Sequence, residues 1–207
     1  MIFKQLVVLK RKIISSSFFW KIRHYFQPEW IESYDLKPTP NYLIEFALSK
    51  KITSVLDFGC ATGNFLYELK KKNIKTLCYG IEINKKALKV SNQKFKELGL
   101  SEKTFFFDSE TNIKKIINFL NTNNIHYFDL IVFDRSLYCL NEKEINKQFS
   151  ILKNYAKFIL INDFLLDESI KYNGYRLRNW ISIMENFNFK CESRILNTHS
   201  EVDKANP

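Results

Sequence analysis

The chain has 207 residues, 45% of them hydrophobic and 19 of them phenylalanine, enough to bury a real core and to exclude a disordered chain. Its net charge of +10 is uneven: residues 1–24 carry Lys4, Lys10, Arg11, Lys12, Lys21 and Arg23 and no acid, which leaves +4 for the rest. That is a weak basis for a nucleic-acid surface across the domain, and four scattered cysteines without a C-x-x-C pair argue against a zinc or disulfide framework and suit a reducing cytosol.

No apolar run approaches the roughly 20 residues of a membrane span, and Leu6 to Leu9 is too short for a signal-peptide core, so a cytoplasmic protein is expected. Ile2, Leu6, Leu9 and Ile13 recur at helical spacing with Lys4 and Arg11 opposite them. This predicts a basic amphipathic helix for an anionic membrane surface, for a partner subunit or for the domain itself. Residues 18–38 follow, rich in aromatics from Phe18 to Tyr34 and interrupted by Pro28 and Pro38. They form either a lid or a cover for a sheet edge, so residues 1–38 are an extension and residues 39–207 the main domain.

Thr39 is placed as an N-cap and Pro40 as the first helical residue of a helix to about Lys50, with Leu43, Phe46 and Ala47 inward. Strands are then predicted over residues 54–58, 76–81, 104–107, 128–133, 158–161 and 189–196. Helices are predicted over residues 64–72, 85–98, 113–120, 142–154 and 175–187. Alternating strands and helices mean βαβ units, hence an α/β fold with a doubly wound, mostly parallel sheet covered on both faces.

Within it, residues 55–65 read Val-Leu-Asp-Phe-Gly-Cys-Ala-Thr-Gly-Asn-Phe, a buried strand ending in a glycine turn that opens a helix. In such sheets ligands bind beyond the carboxyl ends of the strands. A dinucleotide fingerprint would need glycine where Ala61 and Asn64 stand, and no Gly-Lys-Ser/Thr marks a phosphate loop. What fits is acid-x-Gly-x-Ala-x-Gly, namely Asp57, Gly59, Ala61 and Gly63.

Here the chain resembles the class I (Rossmann-like) S-adenosylmethionine-dependent methyltransferases, over about residues 53–196. The resemblance implies a cofactor loop of Asp57, Gly59, Cys60, Ala61 and Gly63. It implies Glu82, with Ile83 beside it, on the ribose hydroxyls at the end of the second strand. Two carboxylate oxygens match a vicinal diol. It also implies Asp108 on the adenine amino group, with the Ser109 N–H alongside. Residues 128–134, Phe-Asp-Leu-Ile-Val-Phe-Asp, match the fourth strand, and Asp134 at its end faces both the cofactor and the acceptor.

The acceptor side is less specific. The Asp/Asn-Pro-Pro run of DNA amino-methyltransferases is absent, and the lysines of the ribose 2′-O-methyltransferase tetrad are not placed. The Leu137-Tyr138-Cys139-Leu140 stretch is similar to small-molecule members of the superfamily. Asp134 is the candidate base or acceptor-orienting group, and Arg135 and Tyr138 are candidate acceptor contacts. Asn162, Asp163, Tyr172, Tyr175, Arg176, Arg178 and Trp180 follow the fifth strand, with Tyr172, Tyr175 and Arg176 the candidates for a sugar, phosphate or ring. Trp180 at helical spacing with Met184 also suits the core. His24, His126 and His199 are scattered, so no metal is expected. The expected partner is a small-molecule or saccharide-type acceptor, with an RNA or protein acceptor, or cofactor binding without catalysis, as alternatives. Residues 197–207 are polar and make a poor core strand, so the family's antiparallel seventh strand is expected to be missing or short, or the edge to be completed by another segment such as the amino-terminal one.

Overall fold

The computed structural model describes residues 39–108, 113–122, 126–163, 170–172 and 175–194, together with Phe26. The expected basic helix, the rest of the aromatic extension and Ser109 lie outside the described residues.

Helix α1 (Asn41–Ser49) precedes β1 (Ser54–Phe58), α2 (Asn64–Lys72), β2 (Leu77–Glu82), α3 (Lys85–Glu97) and β3 (Thr104–Asp108). The chain continues through α4 (Ile113–Thr122), β4 (Phe128–Asp134), a 3-10 turn (Leu137–Cys139), α5 (Glu142–Leu152) and β5 (Ala156–Asn162). β6 (Ile170–Tyr172), β7 (Tyr175–Leu177) and α6 (Trp180–Glu185) complete it. Five strands form one parallel sheet in the order β3-β2-β1-β4-β5, the expected architecture. The order reverses beside β1, which puts the carboxyl ends of β1 and β4 at the switch point where α/β sheets bind ligands.

Strand alternation divides the core into two layers. Val55, Cys78, Leu130 and Val132 pack with Leu43 and Ala47 of α1, Phe65 and Leu69 of α2 and Phe95 of α3. Leu56, Tyr79, Ile131 and Phe133 face the other way, against Leu120 of α4, Ile145 and Phe149 of α5 and Trp180 of α6. Tyr79 stacks on Phe105 and meets Phe128 edge to face, which gives the phenylalanine-rich composition its place.

The helix starts carry their own signals. Asn84 accepts from the N–H groups of Lys86 and Ala87, and Asn141 with Glu144 forms a capping box at α5. At α1 the expected Thr39 cap is replaced by Pro40, which adopts the N-cap place and accepts the Leu43 N–H at 3.1 Å through its carbonyl.

Two further expectations are corrected. The helix expected over residues 175–187 is only Trp180–Glu185, because Tyr175–Leu177 pairs antiparallel with Ile170–Tyr172. Tyr172 opposite Tyr175 leaves Asn173 and Gly174 between them, a dipeptide that signals a tight hairpin and outweighs helical periodicity. The strand expected over residues 189–196 is absent from residues 189–194. There the chain leaves α6 with Asn188 at φ +67°, residues 191–194 are exposed, and Glu192 pairs with Lys50 at 2.7 Å. Such a polar run has no apolar face to bury against β5.

Candidate active site

The turn after β1 is held against its neighbour strand: the N–H groups of Gly59 and Cys60 both donate to the Ile81 carbonyl, at 2.8 and 3.0 Å. Gly59, Ala61 and Gly63 lie at φ +82°, +47° and +78°, a left-handed region that favours glycine. Ala61 tolerates it because its N–H donates to the Glu82 carboxylate at 2.9 Å, a charge-assisted bond. A Cβ at Gly59 would stand 2.7 Å from Ser136 Cβ, so the turn after β4 closes directly over this loop. Gly80 was missed in the sequence. A Cβ there would meet Cys60 Sγ at 2.7 Å, so its bareness lets the Cys60 side chain lie flat on β2.

Glu82 is nearly buried, and besides Ala61 it accepts from the Ile83 and Asn84 N–H groups at 2.7 and 2.9 Å. Burial raises its pKa, against the lowering effect of these bonds. Of about four acceptor sites on a carboxylate, three are thus engaged by backbone, and roughly one is left for a ribose hydroxyl.

Asp57 pairs across the sheet with Gly80 and Val132, two residues below Glu82 and Asp134, and shares their face. Its carboxyl is 3% exposed and, among the described residues, receives no hydrogen bond. Burial, then the charges of Asp134 and Glu82, push its pKa well above the usual carboxylate value of 3.8. Beside the loop, the Ser136 hydroxyl is also buried without a partner. Both are groups that a cationic or hydrogen-bonding ligand would satisfy. Cys60, in the same place, is buried and its thiol is pushed well up by burial, so it is no nucleophile.

Asp108 stands opposite Glu82 in the β2–β3 register, where its carboxylate lies 3.3 Å from the exposed Lys85 ammonium. At the end of β4, Asp134 Oδ1 accepts from Asn162 Nδ2 at 2.5 Å and from Arg135 Nε at 3.2 Å. Arg135, with φ +49°, thus turns back onto its own neighbour. The Tyr138 N–H donates to Asp163 at 2.8 Å. Tyr172, Tyr175 and Arg176 belong to the β6–β7 hairpin, and their side chains lie outside what the structure describes.

Arg178 is not a ligand group. It is 1% exposed and its guanidinium donates to the carbonyls of Leu137 and Leu140, at 3.2 and 2.5 Å, and to Glu142 at 3.2 Å. It stacks on Trp180, which is buried core as its helical spacing suggested. This arginine therefore ties the segment after β7 to the turn after β4. Tyr42, whose hydroxyl donates to Asn162 Oδ1 at 2.5 Å, joins the site from α1 and was also missed, since nothing local in its sequence marks it.

Glu82, Asp108, Asp57, Asp134 and Asn162 thus stand on one sheet face at its carboxyl edge, under a left-handed glycine loop. With the five-stranded parallel sheet, this is a doubly wound, Rossmann-like methyltransferase fold. The chain belongs to the methyltransferase domain family, whose model matches residues 49–192.

Among curated proteins, the chain is similar to a tRNA (guanine-N(7)-)-methyltransferase of Prochlorococcus marinus subsp. pastoris, 31% identical over 116 residues, covering 52% of this chain and 54% of that one. A protein of the same description from Prochlorococcus marinus strain MIT 9515 is 33% identical over 110 residues, covering 53% and 50%. The chain spans about half the length of the curated relatives it matches. Among solved structures, mitomycin 7-O-methyltransferase MmcR superposes with a TM-score of 0.53 at 12% identity, covering 70% of this chain and 45% of that one. The cyclase SpnF superposes with 0.53 at 14%, covering 71% and 56%. At such identities the likeness concerns the fold.

Proposed function

We propose that this chain is a methyltransferase that uses S-adenosylmethionine and releases S-adenosylhomocysteine. The observation that carries this reading is the left-handed loop of Gly59, Ala61 and Gly63, bonded to buried Glu82 above the unbonded carboxylate of Asp57. Asp57 and the loop would hold the methionine and sulfonium side, Glu82 and Ile83 the ribose, and Asp108 the adenine. The cofactor supplies an activated methyl group on a sulfonium. The chain's own contribution is to bind, to orient and to accept hydrogen bonds, because a methyl displacement depends on alignment. Asp134, with one carboxylate oxygen bonded to Asn162, is the residue placed to orient an acceptor N–H or O–H or to take its proton.

For the acceptor we infer a small molecule or saccharide. This rests on the resemblance of the turn after β4 and on the absence of a nucleic-acid or ribose-methylating signature there. An RNA acceptor is the second reading. It is favoured by the two curated relatives and by the exposed Lys71, Lys72, Lys75, Lys86, Lys89 and Lys96 on α2, α3 and the turn between α2 and β2. Calorimetry with S-adenosylhomocysteine tests the cofactor, with binding expected for the natural chain and lost in Gly59→Arg. Labelled S-adenosylmethionine turned over against an extract of the source cells tests the acceptor. Label in a small-molecule fraction is expected, and nuclease-sensitive label would install the second reading.

A further inference from the structure

A chain of hydrogen bonds joins α1 to the carboxyl ends of β4 and β5. It begins on the first turn of α1, where the Tyr42 hydroxyl donates to Asn162 Oδ1 at 2.5 Å. Asn162 Nδ2 in turn donates to Asp134 Oδ1, also at 2.5 Å. The three residues are far apart in sequence and meet for one reason. Asp134 and Asn162 are opposite each other at the ends of β4 and β5, on the face covered by α1.

The carboxylate settles which way the amide points. An ionised carboxylate only accepts, so the amide NH₂ must face Asp134, and the amide oxygen is left to accept the tyrosine O–H. Arg135 Nε adds a second bond to the same Oδ1 at 3.2 Å. Among the described residues, Oδ2 meets only Arg135 Nη2, at the 3.5 Å limit. One carboxylate oxygen therefore carries the load of holding Asp134, and the other is spared.

Helix α1 does not need this link to stay in place, since it buries Leu43, Ile44 and Ala47 in the core. Tyr42, Asn162 and Asp134 are only partly buried, where a bond between polar groups adds little stability. What the chain of bonds does achieve is orientation. We propose that Tyr42 and Asn162 are positioning residues for Asp134: they fix its carboxylate through Oδ1 so that Oδ2 accepts the N–H or O–H of the methyl acceptor. This rests on the methyl-transfer reading of the same site.

The test uses the full chain and the variants Y42F, N162A, D134N and N162A/D134N. Y42F and N162A should bind S-adenosylhomocysteine within about threefold of the natural chain and keep its melting temperature, while turnover of labelled S-adenosylmethionine in the extract falls about tenfold. N162A should add nothing to D134N, because both remove the same arrangement. In nitrogen-15 spectra the Asn162 side-chain amide, assigned by its absence from N162A, should shift in both Y42F and D134N. Full turnover in N162A, additive losses in the double variant, or an Asn162 amide indifferent to D134N would each overturn the proposal. A natural chain that binds no S-adenosylhomocysteine overturns the cofactor reading beneath it, which separates the two failures.

Discussion

Asp57 occupies the floor of the site as a buried carboxyl near two other acids, and that placement costs the free protein stability. Its folded pKa lies well above 3.8, so between 3.8 and the folded value the native state binds more protons than the unfolded chain. Stability must then fall as pH rises through that window, and Glu82, also raised by burial, acts with the same sign. Asp57→Asn should flatten the fall and raise the melting temperature at pH 7, by about 2–4 °C for each kcal/mol relieved. The same change should weaken S-adenosylmethionine binding by about tenfold or more, since the carboxylate facing its sulfonium is gone. Calorimetric melts from pH 4 to 8, with and without ligand, check both; a variant less stable at pH 7 removes the explanation. The strand-end acids were readable because each sits at a fixed distance from a glycine or a strand end. The three backbone bonds on Glu82 were not, since they depend on how the Ala61 loop leans over β2.

At the scale of elements, Arg178 decides how the acceptor side is assembled. It follows the candidate acceptor contacts Tyr172, Tyr175 and Arg176 in the chain, yet its own guanidinium is consumed by two carbonyls of the turn after β4 and by Glu142. Removing it leaves buried carbonyls without donors, which costs on the order of 3 kcal/mol. Arg178→Met should therefore lower the melting temperature by about 6–12 °C. Turnover should suffer more than S-adenosylhomocysteine affinity, because Leu137 to Leu140 lies on the acceptor side. A melt within 2 °C of the natural chain, about 1 kcal/mol or less, would show the clamp to be idle. The hairpin before Arg178 had a legible signal in Asn173-Gly174, but helical periodicity from Tyr175 onward hid it. The strand expected over residues 189–196 fails in its described part, where only Phe189 and Cys191 alternate with polar residues, too short a pattern to fix a strand's partner.

Over the whole molecule, the parallel sheet separates a layer of α1, α2 and α3 from a layer of α4, α5 and α6, and exposed lysines gather on the first. Lysines there are the ordinary solvated face of two amphipathic helices, and under the small-molecule reading they bind RNA only by non-specific charge. Titration with tRNA should then give a Kd no tighter than about 10⁻⁶ M, lost between 50 and 200 mM salt. Tighter binding that is abolished by Lys86→Glu with Lys89→Glu would transfer the weight to RNA.

The candidate donor-side residues could be proposed from the sequence alone. A buried strand, a glycine turn and an acid at set spacing are local features, so Asp57 to Gly63, Glu82 and Asp108 needed no partner to be recognised. On the proposed acceptor side the sequence offered Asp134 as a candidate, and only the tertiary structure joined it to its partners. Tyr42, Asp134, Asn162 and Arg178 acquire their roles through strand register and the packing of α1 and the β6–β7 segment, and hydrogen bonds between residues 28 to 120 positions apart leave no periodic trace in a chain.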